Sequence, residues 1–292
     1  VVFSPDGHHL LAINNDGLPH LWSAPTFDEI KTIETKDDEQ YRSQLSAYIR
    51  FEERRLSQAT AALGRTHPHV QYATRTLQFW LASNTRPRDA IALEPQPSTA
   101  TAENTLDYTR IAALQIWFGL QEDYEITRRK VLQHFKGASS ARTDERTAKA
   151  ACLAPITLPT QAQEVLALAE SALRLETDNS ARRWCLLALG MAEFRSHRLP
   201  QALQHLLEAE NASDPGERVL RIIAAFYRVM ALHHLGRHAE ARDLFTQTAA
   251  LATPMPTQPH LLLQGHKTIY VDYLVGWITQ LEAERLISSP KP

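Results

Sequence analysis

Thirteen histidines and two cysteines are the side chains best suited to chemistry in this 292-residue chain. Their spacing decides what they can do. His233 and His234 are adjacent, so on a helix they point about 100° apart and cannot share a metal as an i, i+4 pair could. One of the two could bind a ligand carboxylate or titrate near neutral pH. His67 and His69 flank Pro68 with no carboxylate or cysteine cluster beside them, which argues against a zinc site. Cys152 and Cys185 are too few for a disulfide framework and too far apart for a metal-binding pair. Both lie in apolar helical patterns and read as buried, reduced thiols. The chain has no P-loop, HExxH, GxSxG or CxxC. Arg128-Arg129-Lys130 and Arg182-Arg183 read as solvated faces. Asn211-Ala212-Ser213 fits a glycosylation sequon, discounted for want of a secretory signal. No cofactor or metal is expected. A small-molecule enzyme or sensor on an all-α scaffold would need His197, His205, His233, His234, Glu193 and Asp272 to converge in one pocket.

Composition narrows the class of protein that must position these groups. Hydrophobic residues make up 43% and charged residues 22%, with a formal charge of −2. That is an ordinary globular balance, with no bulk reason to bind nucleic acid or an anionic membrane. No apolar run is long enough for a membrane span. With no signal peptide, a cytoplasmic setting is expected. The chain opens Val1-Val2-Phe3, inside an apolar run and without Met, and reads as a fragment of a longer protein.

Residues 1–35 read as β. Val1–Gly7 is a short apolar run closed by Pro5-Asp6-Gly7, and Asn15-Asp16-Gly17 is a hairpin turn. Leu18–Ala24 forms the next strand, and Phe27–Ile33 a possible last one. Residues 36–83 turn helical, in a helix over Asp37–Leu63 ended by Gly64 and a second from His67 to about Ser83. Val70, Thr74, Leu77, Trp80 and Leu81 face inward on the second. Residues 84–105 hold three prolines without a sustained period and read as a linker, with Asn104 or Thr105 capping the next helix. Residues 106–287 carry paired helices: Leu106–Leu120 with Glu122–Gly137, then Asp144–Pro155 with Thr160–Leu175. Two further pairs occupy Arg182–Leu251. There Ala202 and Ala241 stand at matching places, the mark of a helical-hairpin repeat. The final helix, about His266–Ile287, has Ile269, Tyr270, Tyr273, Leu274, Trp277, Ile278, Leu281 and Leu286 as its apolar side and is expected to cap the array. Residues 288–292 form a tail expected to be disordered.

Two resemblances follow from these residues. Phe3-Ser4-Pro5-Asp6-Gly7, a strand, Asp16-Gly17 and a strand ending Leu21-Trp22 resemble one blade of a WD-repeat β-propeller. Ser23 departs from the usual Asp, and Pro19 sits where a strand N–H would donate. A propeller needs more blades, so the resemblance implies others upstream. The hairpins resemble tetratricopeptide repeats. Gly190, Ala202, Leu206 and Ala209 match the pattern, Asp214-Pro215 falls near its closing proline, and Gly236, His238, Ala241 and Phe245 match in the next unit. Val229 and Thr248 depart from it, as does the long repeat step. The expected fold is therefore mainly α: a tetratricopeptide-like solenoid preceded by a β-meander remnant of a propeller blade. The order of parts is similar to the C-terminal region of large bacterial, planctomycete-like multidomain proteins that often carry an N-terminal Ser/Thr protein kinase. That likeness implies a non-catalytic scaffold in a signalling protein, or the regulatory tail of a kinase whose catalytic motifs this chain lacks. In tetratricopeptide arrays the first helix of each hairpin lines the concave face. By that resemblance Met191, Arg195, Met230, His233 and His234 would line it here and meet an acidic or amphipathic peptide. A protein or peptide partner is expected, and not nucleic acid.

Overall fold

The computed structural model describes residues 2–3, 9–13, 19–23, 27–94, 105–137, 140–212, 217–263 and 271–288. Among these residues the chain is mainly helical, with twelve α-helices. It divides into two compact units, Val1–Ala73 and Thr74–Pro292.

In the first unit β1 (Val2–Phe3), β2 (His9–Ile13) and β3 (Pro19–Ser23) pair antiparallel in chain order. Leu10 stands opposite Trp22, and Ile13 opposite Pro19. Pro19 thus falls at the first residue of its strand, one of the few strand positions where a missing N–H is tolerated. Helix α1 then runs Phe27–Leu63. Phe27–Ile33 is therefore helical, not a strand, and the helical segment begins before residue 36. In the sequence Phe27, Ile30 and Ile33 recur every three residues, a spacing that suits a helix. Leu45, Ile49, Glu52 and Leu56 form the buried stripe of α1, while Tyr41, Tyr48 and Leu63 are exposed. Gly64, at φ +81°, stops the helix in a conformation that a side chain would strain. Helix α2 (Pro68–Ser83) follows, with Val70, Leu77 and Leu81 buried and Thr74 and Trp80 half-buried.

The second unit holds the paired helices. The expected linker contains a short helix, α3 (Pro87–Ala92), started by Pro87. Gln78 donates to the Ala90 carbonyl at 3.2 Å and to Glu94 at 2.9 Å, and Arg110 pairs with Glu94 at 2.8 Å. This stretch is folded in place, because local hydrogen bonds and an ion pair substitute for a hydrophobic period. Residues 95–104, including Asn104, lie outside the described residues, and α4 begins at Thr105.

Four hairpins come next. They are α4 (Thr105–Trp117) with α5 (Gln121–His134), α6 (Ala141–Ala151) with α7 (Pro159–Leu175), α8 (Asn179–Arg195) with α9 (Leu199–Ala212), and α10 (Arg218–His234) with α11 (His238–Leu251). Asp214-Pro215 and Ser213 lie outside the described residues. Each first helix packs on its own partner and on the next first helix, so α4, α6, α8 and α10 form a row. Three of the hairpins close with the same turn. After α4, α8 and α10 the residue at positive φ is Gly119, His197 and Gly236. In each, the following N–H reaches five residues back: Leu120 to Gln115, Arg198 to Glu193, Arg237 to Leu232. Small residues set the spacing within a hairpin. A Cβ on Gly190 would lie 2.5 Å from Leu206 Cγ, and Ala202, Leu206, Ala209 and Ala241 are fully buried.

A 3-10 turn (Pro259–Leu263) precedes the last helix, α12 (Val271–Ser288). Ile269, Tyr270 and the 289–292 tail lie outside the described residues. Helix α12 is buried nearly all round, with Leu274 to Thr279 buried without a break. Tyr273 is exposed, whereas Val275, Gly276 and Ala283, absent from the expected apolar side, are buried. The helix packs against α10 and α11 at one end of the series and against α4 at the other.

Candidate partner-binding site

The row of first helices is the face that sequence reasoning selects, and α12 lies along it. Four contacts seat α12. Lys149 Nζ on α6 lies 3.3 Å from Asp272 Oδ1. Arg195 on α8 grips Glu282 with both terminal nitrogens, at 2.5 and 2.6 Å. Trp117 on α4 meets Trp277 at 5.8 Å between ring centroids. Gly276 faces Ile223 of α10, where a Cβ would lie 3.8 Å from Ile223 Cγ1. One helix therefore touches all four first helices.

Both cations are almost entirely buried. Lys149 also pairs with Glu145 at 3.0 Å and stands over the Trp184 ring at 4.6 Å. Burial alone would neutralise this ammonium, but Asp272 and then Glu145 outweigh it, and its pKa is raised. Burial pushes the Glu145 carboxyl up, against Lys149. Arg195 is held charged in the same way, against burial, by Tyr227 and Glu282.

Arg195 belongs to a second construction at the C-terminus of α6. Its Nε donates to the Cys152 carbonyl at 2.9 Å, and Tyr227 Oη on α10 donates to the same oxygen at 2.8 Å. On α5, Tyr124 Oη approaches the Ala150 and Ala151 carbonyls at 3.1 and 2.9 Å. Arg128 Nη2 donates to Ala154 and Pro155 at 2.8 and 3.0 Å. The end of a helix leaves carbonyls without partners and carries partial negative charge. Here two guanidiniums and two phenols from three other helices meet them. Arg128 is thus no part of a solvated basic face.

The sequence-selected residues divide. Met191 and Met230 have 0% exposure and sit in the core between helices, so neither offers surface to a partner. Thioether side chains on a helix buried on both flanks fill gaps before they can line a groove. Arg195 does lie on the face, engaged by Glu282. His233 and His234 lie at the end of α10. His233 Nδ1 is 3.4 Å from His238 Nδ1, and the His234 ring lies 5.8 Å from Phe194. Burial, then His238, lowers the His233 pKa, and burial, then His197, lowers that of His234. The six residues needed for a pocket fall into three sets: His197, His233 and His234 at the hairpin turns, His205 with Glu193 at 2.8 Å, and Asp272 with Lys149. Among the described residues no three His, Cys, Asp or Glu could hold a metal. Cys152 and Cys185 are buried and unpaired, and burial pushes each thiol up to about 12.

The grouping of Lys149 with Glu145, Asp272 and the Trp184 ring, and of Arg195 with Glu282, was not visible from sequence. The i, i+4 spacing of Glu145 and Lys149 was a legible signal, but it usually marks an exposed helix face. Comparison with protein-family models, curated proteins and solved structures finds no match to this chain.

Proposed function

We propose that this chain is a non-catalytic protein-interaction region that binds a helical peptide or protein on the row formed by α4, α6, α8 and α10. The observation that carries this reading is the seating of α12 along that row by a buried ammonium and a buried guanidinium. A face that holds one helix by side-chain chemistry has the shape and charge to hold another. The shared turns after α4, α8 and α10 and the close approach at Gly190 support a tetratricopeptide-like solenoid. The antiparallel β1–β3 pairing, together with Asp16-Gly17 and Leu21-Trp22 in the sequence, supports a propeller-blade remnant. On this reading the region serves as a scaffold in a larger, cytoplasmic signalling protein of the bacterial kind that couples such repeats to a Ser/Thr kinase. Among the described residues no helix is long and apolar enough to cross a membrane.

The test is selection of helical peptides from a display library against the whole chain, followed by photo-crosslinking. Crosslinks should map to first-helix residues of α4, α6, α8 and α10. Failure to select any binder, or crosslinks confined to α5, α7, α9 and α11, would overturn the reading.

A further inference from the structure

We infer that α12 is a resident, displaceable occupant of the first-helix row, and that the partner it gives way to is an amphipathic helix carrying two carboxylates ten residues apart. The inference rests on the interaction reading above and names its ligand class.

The charge pattern sets the ligand. Lys149 and Arg195 are buried on the row and satisfied there by Asp272 and Glu282 of α12. A replacing helix without carboxylates would rebury Arg195 with only the Cys152 carbonyl and Tyr227 as partners and Lys149 with only Glu145 of its own helix, which is unfavourable. An incoming helix takes its place most favourably by bringing carboxylates to the same two points. Residues ten apart on a helix are separated by about 15 Å along its axis. Between Asp272 and Glu282 the surface of α12 is apolar, with Leu274, Val275, Trp277 and Ile278 buried. The ligand therefore carries an acid, an apolar centre with an aromatic residue, and a second acid.

The occupant also has a weak point. Gly276 sits in the middle of α12, where glycine lowers helix stability relative to alanine. Packing does not demand it, since a Cβ would make only an ordinary contact with Ile223. A helix intended purely as core would gain from Ala at this place. Glycine keeps the docked state shallower, by about fivefold in equilibrium constant on propensity alone.

The test uses the whole chain and a fluorescein-labelled peptide carrying the Val271–Ser288 sequence. A tethered helix competes with the peptide at high effective concentration, so the wild-type chain should bind weakly. Asp272→Asn with Glu282→Gln weakens the tethered helix and should raise peptide affinity more than about tenfold. A peptide bearing the same two substitutions should lose binding to that variant. Gly276→Ala in the chain should instead lower peptide affinity by about fivefold. Native-state hydrogen exchange on the wild-type chain covers the case in which the charge variant misfolds. The α12 amides should exchange through an opening that leaves α6, α8 and α10 protected. Exchange of α12 only with global unfolding, or peptide affinity unmoved by Gly276→Ala and by the charge pair, would overturn the inference. If library peptides still bound the row, the interaction reading would stand without it. If α12 opened but no helical peptide were selected, the interaction reading would be the one to fall.

Discussion

At the scale of single residues, size and protonation matter more than reactive chemistry. Gly190 is the sharpest case. A methyl group there would meet Leu206 Cγ at 2.5 Å and the Leu206 backbone nitrogen at 3.3 Å. Gly190→Ala should therefore destabilise the protein by about 1–3 kcal/mol in urea unfolding, through overpacking between α8 and α9. Combining it with Leu206→Ala should cost less than the sum of the two single changes. Protonation matters at the histidine turns. His233 and His234 have lowered folded pKa values, so near pH 6.5 the native state binds fewer protons than the unfolded chain. Their contribution to stability is complete above about 6.5 and is lost as pH falls from there through their folded values. Imidazole NMR titrations should give both midpoints below 6.5, and midpoints at or above it would contradict the lowered folded values.

At the scale of elements, the hairpin turn repeats more faithfully than the sequence around it. Gly119, His197 and Gly236 occupy one conformation, at φ +73°, +59° and +77°. Histidine is strained there and glycine is not. His197→Gly should raise stability by about 1 kcal/mol in denaturant unfolding, and it should raise the His234 midpoint by removing a neighbouring positive charge. No change in either quantity would mean that the turn is held by other contacts. Helix existence was legible almost throughout, because the apolar spacing in α4 to α11 follows the helical period. Helix limits and neighbours were less so. The stretch Phe27–Ile33 satisfied both a strand and a helix pattern, and α3 was hidden by Pro87 at its start and by Pro95 and Pro97 after it. Helix α6 reads as polar, ARTDERTAKAA, yet Asp144, Glu145 and Lys149 are buried. Glu145 and Lys149 partner each other within α6, but the second carboxylate on Lys149 comes from Asp272 of α12, which no local pattern records.

At the scale of the whole molecule, the placement of α12 changes what the repeat helices present. A terminal helix following a series of hairpins is expected to shield the last one. Helix α12 packs on α10 and α11 and also reaches back to α4, more than a hundred residues earlier, and Trp117 donates to the Pro259 carbonyl at 2.9 Å on the same route. The candidate site shifts with it. Of the five residues chosen from sequence, Arg195 is part of the contact, the two histidines lie at the turn, and the two methionines are core. Glu282 and Asp272, which complete the contact, sit on an element that sequence reasoning had assigned to capping.

The sequence by itself determined the helical class, the pairing of helices into hairpins and the glycine turns. Each depends on contacts within a few residues or on a periodic pattern, and such information is local. Only the tertiary structure decided that α12 runs along the first-helix row, that Lys149 and Arg195 are buried there, and that two arginines and two tyrosines meet the end of α6. Those facts depend on which distant side chains share a desolvated space. A buried charge and a solvated one have the same letter, and burial, not composition, sets what that letter contributes.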